Sequence, residues 1–205
     1  VISQDRITEI TSVGFPKVPV DGRNRPAKGT KEIDGTNMFV MPGLIDVHVH
    51  CGGGQASDPD YVYRLWLAHG VTTVRGVPCG NMDWDLQQRD LSAKNEIVAP
   101  RIFAYHRPFT GQGWDRARPQ TPENAREWVR FAAKRGVDGL KLGAFDPEIM
   151  EALIGEANKL GLGTTAHLDQ MGVGRMNAVQ ASRPGLGTLG HYNGLFESLP
   201  KGARM

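Results

Sequence analysis

The chain has 205 residues, 40% of them hydrophobic and 22% charged, enough apolar material for a substantial core. A formal net charge of +2 gives no electrostatic footprint for nucleic acid or an anionic lipid surface. No apolar run approaches the roughly 18–20 residues of a membrane helix.

The first ten residues, VISQDRITEI, contain neither an initiator Met nor a signal or transit sequence. They do not report a compartment; the cytoplasm is the default expectation, with the periplasm or secretion left open. Residues 1–40 alternate short β-prone pieces with turn signals: Arg6–Ile10, Lys31–Ile33 and Asn37–Val40 are set off by Asp21-Gly22 and Asp34-Gly35. This stretch is expected to be part of a small β-sandwich domain.

From residue 41 to 205 the pattern becomes strand, turn, helix, repeated. Strands are predicted at 44–50, 71–75, 101–106, 137–142, 163–167 and 187–191. A helix is predicted over 146–160, with Asp146 as N-cap, Pro147 at the first helical position and Gly161 as its stop. A second is predicted from Thr121-Pro122-Glu123 to Gly136, with Trp128, Val129, Ala132 and Ala133 as its apolar stripe. Alternating β and α units imply a parallel sheet, and six in series favour a TIM-type (β/α)8 barrel, an α/β fold. A complete barrel takes roughly 250 residues, so this chain is expected to supply six of eight units. The rest of a longer polypeptide, or another copy of the chain, is expected to complete it, because an open barrel exposes strand edges.

Two cysteines, Cys51 and Cys79, are too few for a disulfide framework and lack zinc-knuckle spacing. Both read as buried thiols, with a supporting role open to Cys51 because it follows His50. His48 and His50 alternate with Val47 and Val49, so in a strand both imidazoles share one face. At the C-terminal end of a barrel's first strand they would stand where such folds place active sites. An H-x-H pair alone also describes two ordinary histidines. Lys141 lies between Leu140 and Leu142 in a strand expected to be buried on both faces, where an ammonium needs a partner.

The run Val40-Met41-Pro42-Gly43-Leu44-Ile45-Asp46-Val47-His48-Val49-His50 resembles the opening signature of the amidohydrolase superfamily. Colinear matches follow: Gly70-Val71-Thr72-Thr73-Val74-Arg75, Ala99-Pro100-Arg101, Asp138-Gly139-Leu140-Lys141, Ala166-His167 and Gly190-His191. The resemblance runs from about residue 6 to the end, and is similar to the branch that includes imidazolonepropionases and Xaa-Pro dipeptidases. It implies a binuclear centre of two divalent metal ions, with zinc expected. His48 and His50 would bind the more buried ion, and His167 and His191 the more exposed one. Lys141, carboxylated on its amine, would bridge the two and, with His191, take part in catalysis. A carbamate is an anion with two oxygens, whereas an ammonium would be repelled by two dications. Paired metals can polarise a carbonyl and make water acidic.

Other residues carry weaker expectations. His106 and Arg107 end the third barrel strand and are expected to meet substrate at the mouth; Tyr192 and Asn193 follow a metal histidine; Arg75 would pair with a substrate carboxylate or a neighbouring acid. His69 reads as a helix-end cap, and Gly111-Gln112-Gly113-Trp114 as a loop over the site. The family's general acid/base, an Asp ending strand eight, has no counterpart before Met205, and Asp169 follows His167 too soon to be it. Gly190 stands where many relatives of the branch carry Glu, which weakens transfer of substrate specificity. The expected function is metal-dependent hydrolysis of an amide-type C–N bond in a small molecule, a dipeptide or cyclic amide. Rivals are a single-metal deaminase or lactonase on the same scaffold, and a non-catalytic metal-binding barrel remnant.

Overall fold

The computed structural model describes residues 1–11, 22–24, 28–29, 31–50, 59–76, 81–108, 113–114, 118–168 and 175–200. Cys51, Cys79, Gly111, Gln112, Asp169 and Asp21 lie outside the described residues. The chain divides into two compact units, Val1–Pro42 and Gly43–Met205. No helix among the described residues is long and apolar enough to cross a membrane.

In the first unit, β1 (Ile2–Ser3) and β2 (Arg6–Ile7) form an antiparallel hairpin with Ile2 opposite Ile7. The strands expected at Lys31–Ile33 and Asn37–Val40 do not form; both pieces are irregular, and Phe39 and Val40 are fully exposed. Local polar chemistry explains this. The Asp34 carboxylate accepts from the Thr36 amide at 3.0 Å and the Thr36 hydroxyl at 2.6 Å, and Asn37 takes the left-handed φ of 63°. Such side-chain-to-backbone bonds offer the chain an alternative to a ladder.

The second unit is built of strands and helices in alternation. Its strands are β3 (Leu44–Val49), β4 (Val71–Gly76), β5 (Arg101–His106), β6 (Gly139–Leu142), β7 (Gly163–Ala166) and β8 (Thr188–Leu189). They form one sheet of six strands in sequential order, with every pairing parallel. The helices are α1 (Pro59–Ala68), α2 (Met82–Ala93), α3 (Pro122–Arg135), α4 (Pro147–Lys159) and α5 (Ala178–Ser182).

Helix α3 begins where the Thr121 hydroxyl accepts from the Asn124 amide at 3.2 Å, and ends at Gly136 with a φ of 85°. Asp146 occupies the N-cap position of α4 without capping through its side chain, which instead pairs with Arg175 at 3.1 Å. The core fills the space between sheet and helices: Trp128, Val129 and Ala132 of α3, Leu153 and Ile154 of α4, and Leu140 and Leu142 of β6 are all sealed from solvent. Trp114 packs on Phe131 at a ring separation of 5.4 Å, so it belongs to this layer.

The sheet is curled. Arg75 on β4 donates to the Thr188 hydroxyl on β8 at 2.9 Å, although four strand spacings in a flat sheet would separate them by about 19 Å. The same guanidinium donates to the Val47 carbonyl of β3 at 3.2 Å and lies 5.2 Å over the Tyr105 ring. Tyr105 reaches that place across Gly163, where a Cβ would collide with the phenol. The result is a half-barrel whose concave face carries Arg75, Tyr105 and Thr188.

Candidate metal centre

Each of the expected ligands stands at the C-terminal end of a strand. His48 is the last but one residue of β3, His50 follows that strand, Lys141 lies in β6, His167 follows β7, and His191 comes shortly after β8. The register explains Lys141: Leu140 and Leu142 face the helices, so Lys141 faces the concave side, paired with Thr165. It is 2% exposed.

The donor atoms converge. The Nε2 of His48 lies 3.2 Å from that of His50, 3.0 Å from that of His167 and 3.0 Å from Lys141 Nζ, which is itself 3.2 Å from His50 Nε2. The three imidazole nitrogens lie mutually within 4.8 Å. The His191 ring packs, tilted, with its centre 4.6 Å from that of His48 and 4.8 Å from that of His167. A single imidazole nitrogen offers one proton or one lone pair, yet His48 Nε2 has three nitrogen neighbours at hydrogen-bond distance. Hydrogen bonding within the cluster cannot satisfy that arrangement. Ligation can, because donors held 2.0–2.1 Å from a common ion are separated by about 2.9–3.4 Å. The residues therefore fit a divalent metal.

The electrostatics agree. Burial, then the Lys141 charge and the neighbouring histidines, lower His48 to about 4, against a smaller opposing pull from Asp46. Burial and the same kind of cationic surroundings lower His167 to about 3, and burial followed by Lys141 lowers His50. These imidazoles are neutral near pH 7, with lone pairs available to a cation. Burial, with Arg107 second, lowers Lys141 to about 8, so a fraction of its amine is uncharged and nucleophilic near neutral pH.

Two backbone features serve the cluster. Asp46 accepts from the His48 amide at 3.0 Å. Gly190 occupies an inward position, because Thr188 pairs with the inward Thr165. A Cβ on Gly190 would stand 2.7 Å from His48 Nδ1 and 3.3 Å from His167 Cδ2, so the rings fill the space a side chain would need. The strand ends early, at Leu189, and His191 takes a left-handed φ of 66°. That turn brings into the cluster a ring that strict alternation would send to the opposite face.

The expected substrate contacts separate. Arg107 lines a cavity of about 220 Å³ together with Lys141, His167, Leu142, Gly143, Ala144, Phe145 and Arg118. Arg118 was not foreseen from sequence. No periodicity or motif marks it.

His106 is not at the mouth. It pairs in register with the helix-facing Leu140, is 1% exposed, and sets its Nε2 3.6 Å from Asp85 Oδ2 of α2. Burial lowers it to about 4. Arg75 lies in a second cavity of about 420 Å³, with His48, Gly190 and His191 on its walls, and it bonds a carbonyl and a hydroxyl instead of an acid. Tyr192 is exposed, its ring edge-on to Phe196 at 6.1 Å. His69 donates from Nδ1 to the Leu65 carbonyl at 2.8 Å, the helix-end cap expected of it.

No family model matches the chain. Over 121 residues it is 33% identical to an adenine deaminase of Methanoculleus marisnigri, covering 55% of this chain and 22% of that protein. Over 164 residues it is 26% identical to an adenine deaminase of Bacillus licheniformis, covering 76% of this chain and 28% of that protein. Among solved structures, a Bifidobacterium longum protein assigned as a prolidase superposes with a TM-score of 0.57 at 27% identity, covering 77% of this chain and 41% of the other. The chain spans less than half of each of these three proteins. It is thus similar to two deaminases and to a prolidase-like structure, and these likenesses support membership of the amidohydrolase superfamily at the level of the scaffold and not of a substrate.

Proposed function

We propose that this chain carries the metal-binding part of a hydrolase that splits an amide-type C–N bond of a small molecule with water. The observation that supports this reading is the convergence of the His48, His50 and His167 nitrogens with Lys141 Nζ at 3.0–3.2 Å. In it, His48 and His50 would hold one divalent ion and His167 and His191 a second. Lys141 would serve both as a carbamate, which forms when its neutral amine adds to CO2, making a C–N bond and releasing one proton. When bound, such ions, of which zinc suits imidazole donors, polarise the scissile carbonyl and acidify water. The chain's own contributions are positional. Burial of Lys141 shields the bridge from competing protonation, Asp46 fixes the His48 backbone, and Gly190 leaves room for the stacked rings. Arg107 meets substrate beside Lys141, and Tyr192 meets it from the exposed turn after His191.

A second reading, deamination of a purine-like amine, is favoured by the names of the two sequence relatives. Metal stoichiometry separates the readings. In the intact natural protein, the amide-hydrolase reading expects two metals per chain and a carbamate resonance at Lys141 after incubation with 13C-bicarbonate. One metal and an unmodified lysine favour the deaminase. His48→Ala is expected to lower turnover by at least about 10³-fold, the scale lost with a principal charge-stabilising group. Turnover that persists in that variant and after complete metal removal would sink both readings.

A further inference from the structure

Lys141 carries a long, flexible stem, and the way that stem points decides whether its amine reaches the histidines. A lysine on the inner face of a strand can lean toward either end of it. Toward one end stand His48 and His50, whose Nε2 atoms lie 3.0 Å and 3.2 Å from Lys141 Nζ. Toward the other lies Gly139, the next inward position of β6, about 6–7 Å along the strand. That position has no side chain of its own, yet its space is filled. Tyr105, the Cα partner of Gly139 on β5, is buried and lays its ring there: a Cβ on Gly139 would stand 2.5 Å from the ring's Cε1 and Cζ. The ring continues over β7, where its hydroxyl and Cζ take the space that a Cβ on Gly163 would need. Gly163 pairs with Gly139 as Thr165 pairs with Lys141, so the ring forms one layer of the concave face and the Lys141–Thr165 pair the next. The Arg75 guanidinium lies 5.2 Å from the ring centre, held by the Val47 carbonyl and the Thr188 hydroxyl. One aromatic ring over two glycines thus makes a floor across β5, β6 and β7.

We infer that Tyr105 is a positioning residue: its ring is the floor that denies Lys141 the direction away from the histidines and so presents its amine to the metal cluster. The inference rests on the reading of Lys141 as the group that serves both ions, and deepens it. Tyr105 acts through Lys141, by removing conformers that a lysine would otherwise populate. Holding one long side chain in place in advance is worth roughly 2- to 10-fold in binding.

The test compares the intact natural protein with Tyr105→Ala, Tyr105→Phe, Tyr105→Leu and Trp128→Ala. Zinc affinity of the folded fraction is measured by competition with a chelator, and the Lys141 carbamate by its resonance after incubation with 13C-bicarbonate. Tyr105→Ala is expected to lower zinc affinity by that factor and to weaken the carbamate resonance. Tyr105→Phe keeps the ring and should restore both. Trp128→Ala opens a larger hole in the core cluster that holds Leu140 and Leu142, and should leave both readings unchanged in the folded fraction. Should Tyr105→Ala fail to fold, Tyr105→Leu, which refills part of the volume without covering Gly163, is expected to show the same losses at smaller size. Wild-type affinity and carbamate yield in the folded Tyr105 variant, or equal losses in Trp128→Ala, would overturn the inference. A natural protein that binds zinc without forming a carbamate overturns the underlying reading of Lys141, and the inference with it.

Discussion

Strands β3 and β6 both deliver donors to one point, yet they are held in opposite ways. Leu140, Lys141 and Leu142 of β6 are sealed, flanked by β5 and β7 and packed against α4. In β3, Leu44, Ile45 and Val47 are 48%, 64% and 50% exposed, and the strand pairs on one side only. The site is therefore anchored on its lysine side and lightly supported on its H-x-H side. Histidine geometry at β3 depends on the Asp46 contact and on packing against the neighbouring rings; lysine geometry at β6 depends on the hydrophobic core.

The largest expected effect follows from that asymmetry. Trp128→Ala, emptying a fully buried position in the core cluster that holds Leu140 and Leu142, is expected to cost about 3–5 kcal/mol in urea unfolding. Val47→Ala on β3 is expected to stay within about 0.5 kcal/mol. Similar losses at both positions would erase the comparison.

A smaller effect is read through pH. His106 is buried and held at about 4, below its ordinary 6.5, so between those values the unfolded chain binds a proton that the folded chain refuses. Stability is then undiminished above pH 6.5 and falls as the pH drops from about 6.5 to about 4. The loss is up to about 3 kcal/mol. His106→Gln should flatten the stability profile over that window; an unchanged slope would remove His106 as its source.

The third effect concerns the lightly held side. Gly190→Ala places a methyl group against His48 Nδ1, and overpacking of this kind costs about 1–3 kcal/mol. Metal affinity should fall along with the melting temperature. A variant that retains full metal affinity would show that the His48 ring does not depend on that space.

Much of this was legible in the sequence because its signals are local. Thr121 and Gly136 bound a helix through their own side-chain and backbone chemistry, and His48, Lys141 and His167 stand in short strand-end motifs whose order carries the family resemblance. The misplacement of His106 shows where counting stops. Alternation says that His106 and Tyr105 face opposite ways, but only the pairing of Tyr105 with Gly139 fixes which of them faces inward. Arg118, and the reason for a glycine at position 190, were illegible for a related reason. Their importance lies in what stands opposite them, Phe145 in one case and His48 in the other, and both relations are tertiary. In the first unit, the β-prone pieces at 31–33 and 37–40 had composition in their favour, and the turn chemistry of Asp34 prevailed.

Arg75 carries a mechanical consequence. Its side chain spans the hollow of the half-barrel, touching β3, β5 and β8 from its place on β4. A side chain has a fixed length, so this span acts as a gauge for the radius of the curl. That radius in turn sets how far His48 stands from His167 and His191. The spacing of the metal donors is in this sense measured out one layer below them, by a residue that touches none of the ligands' nitrogens.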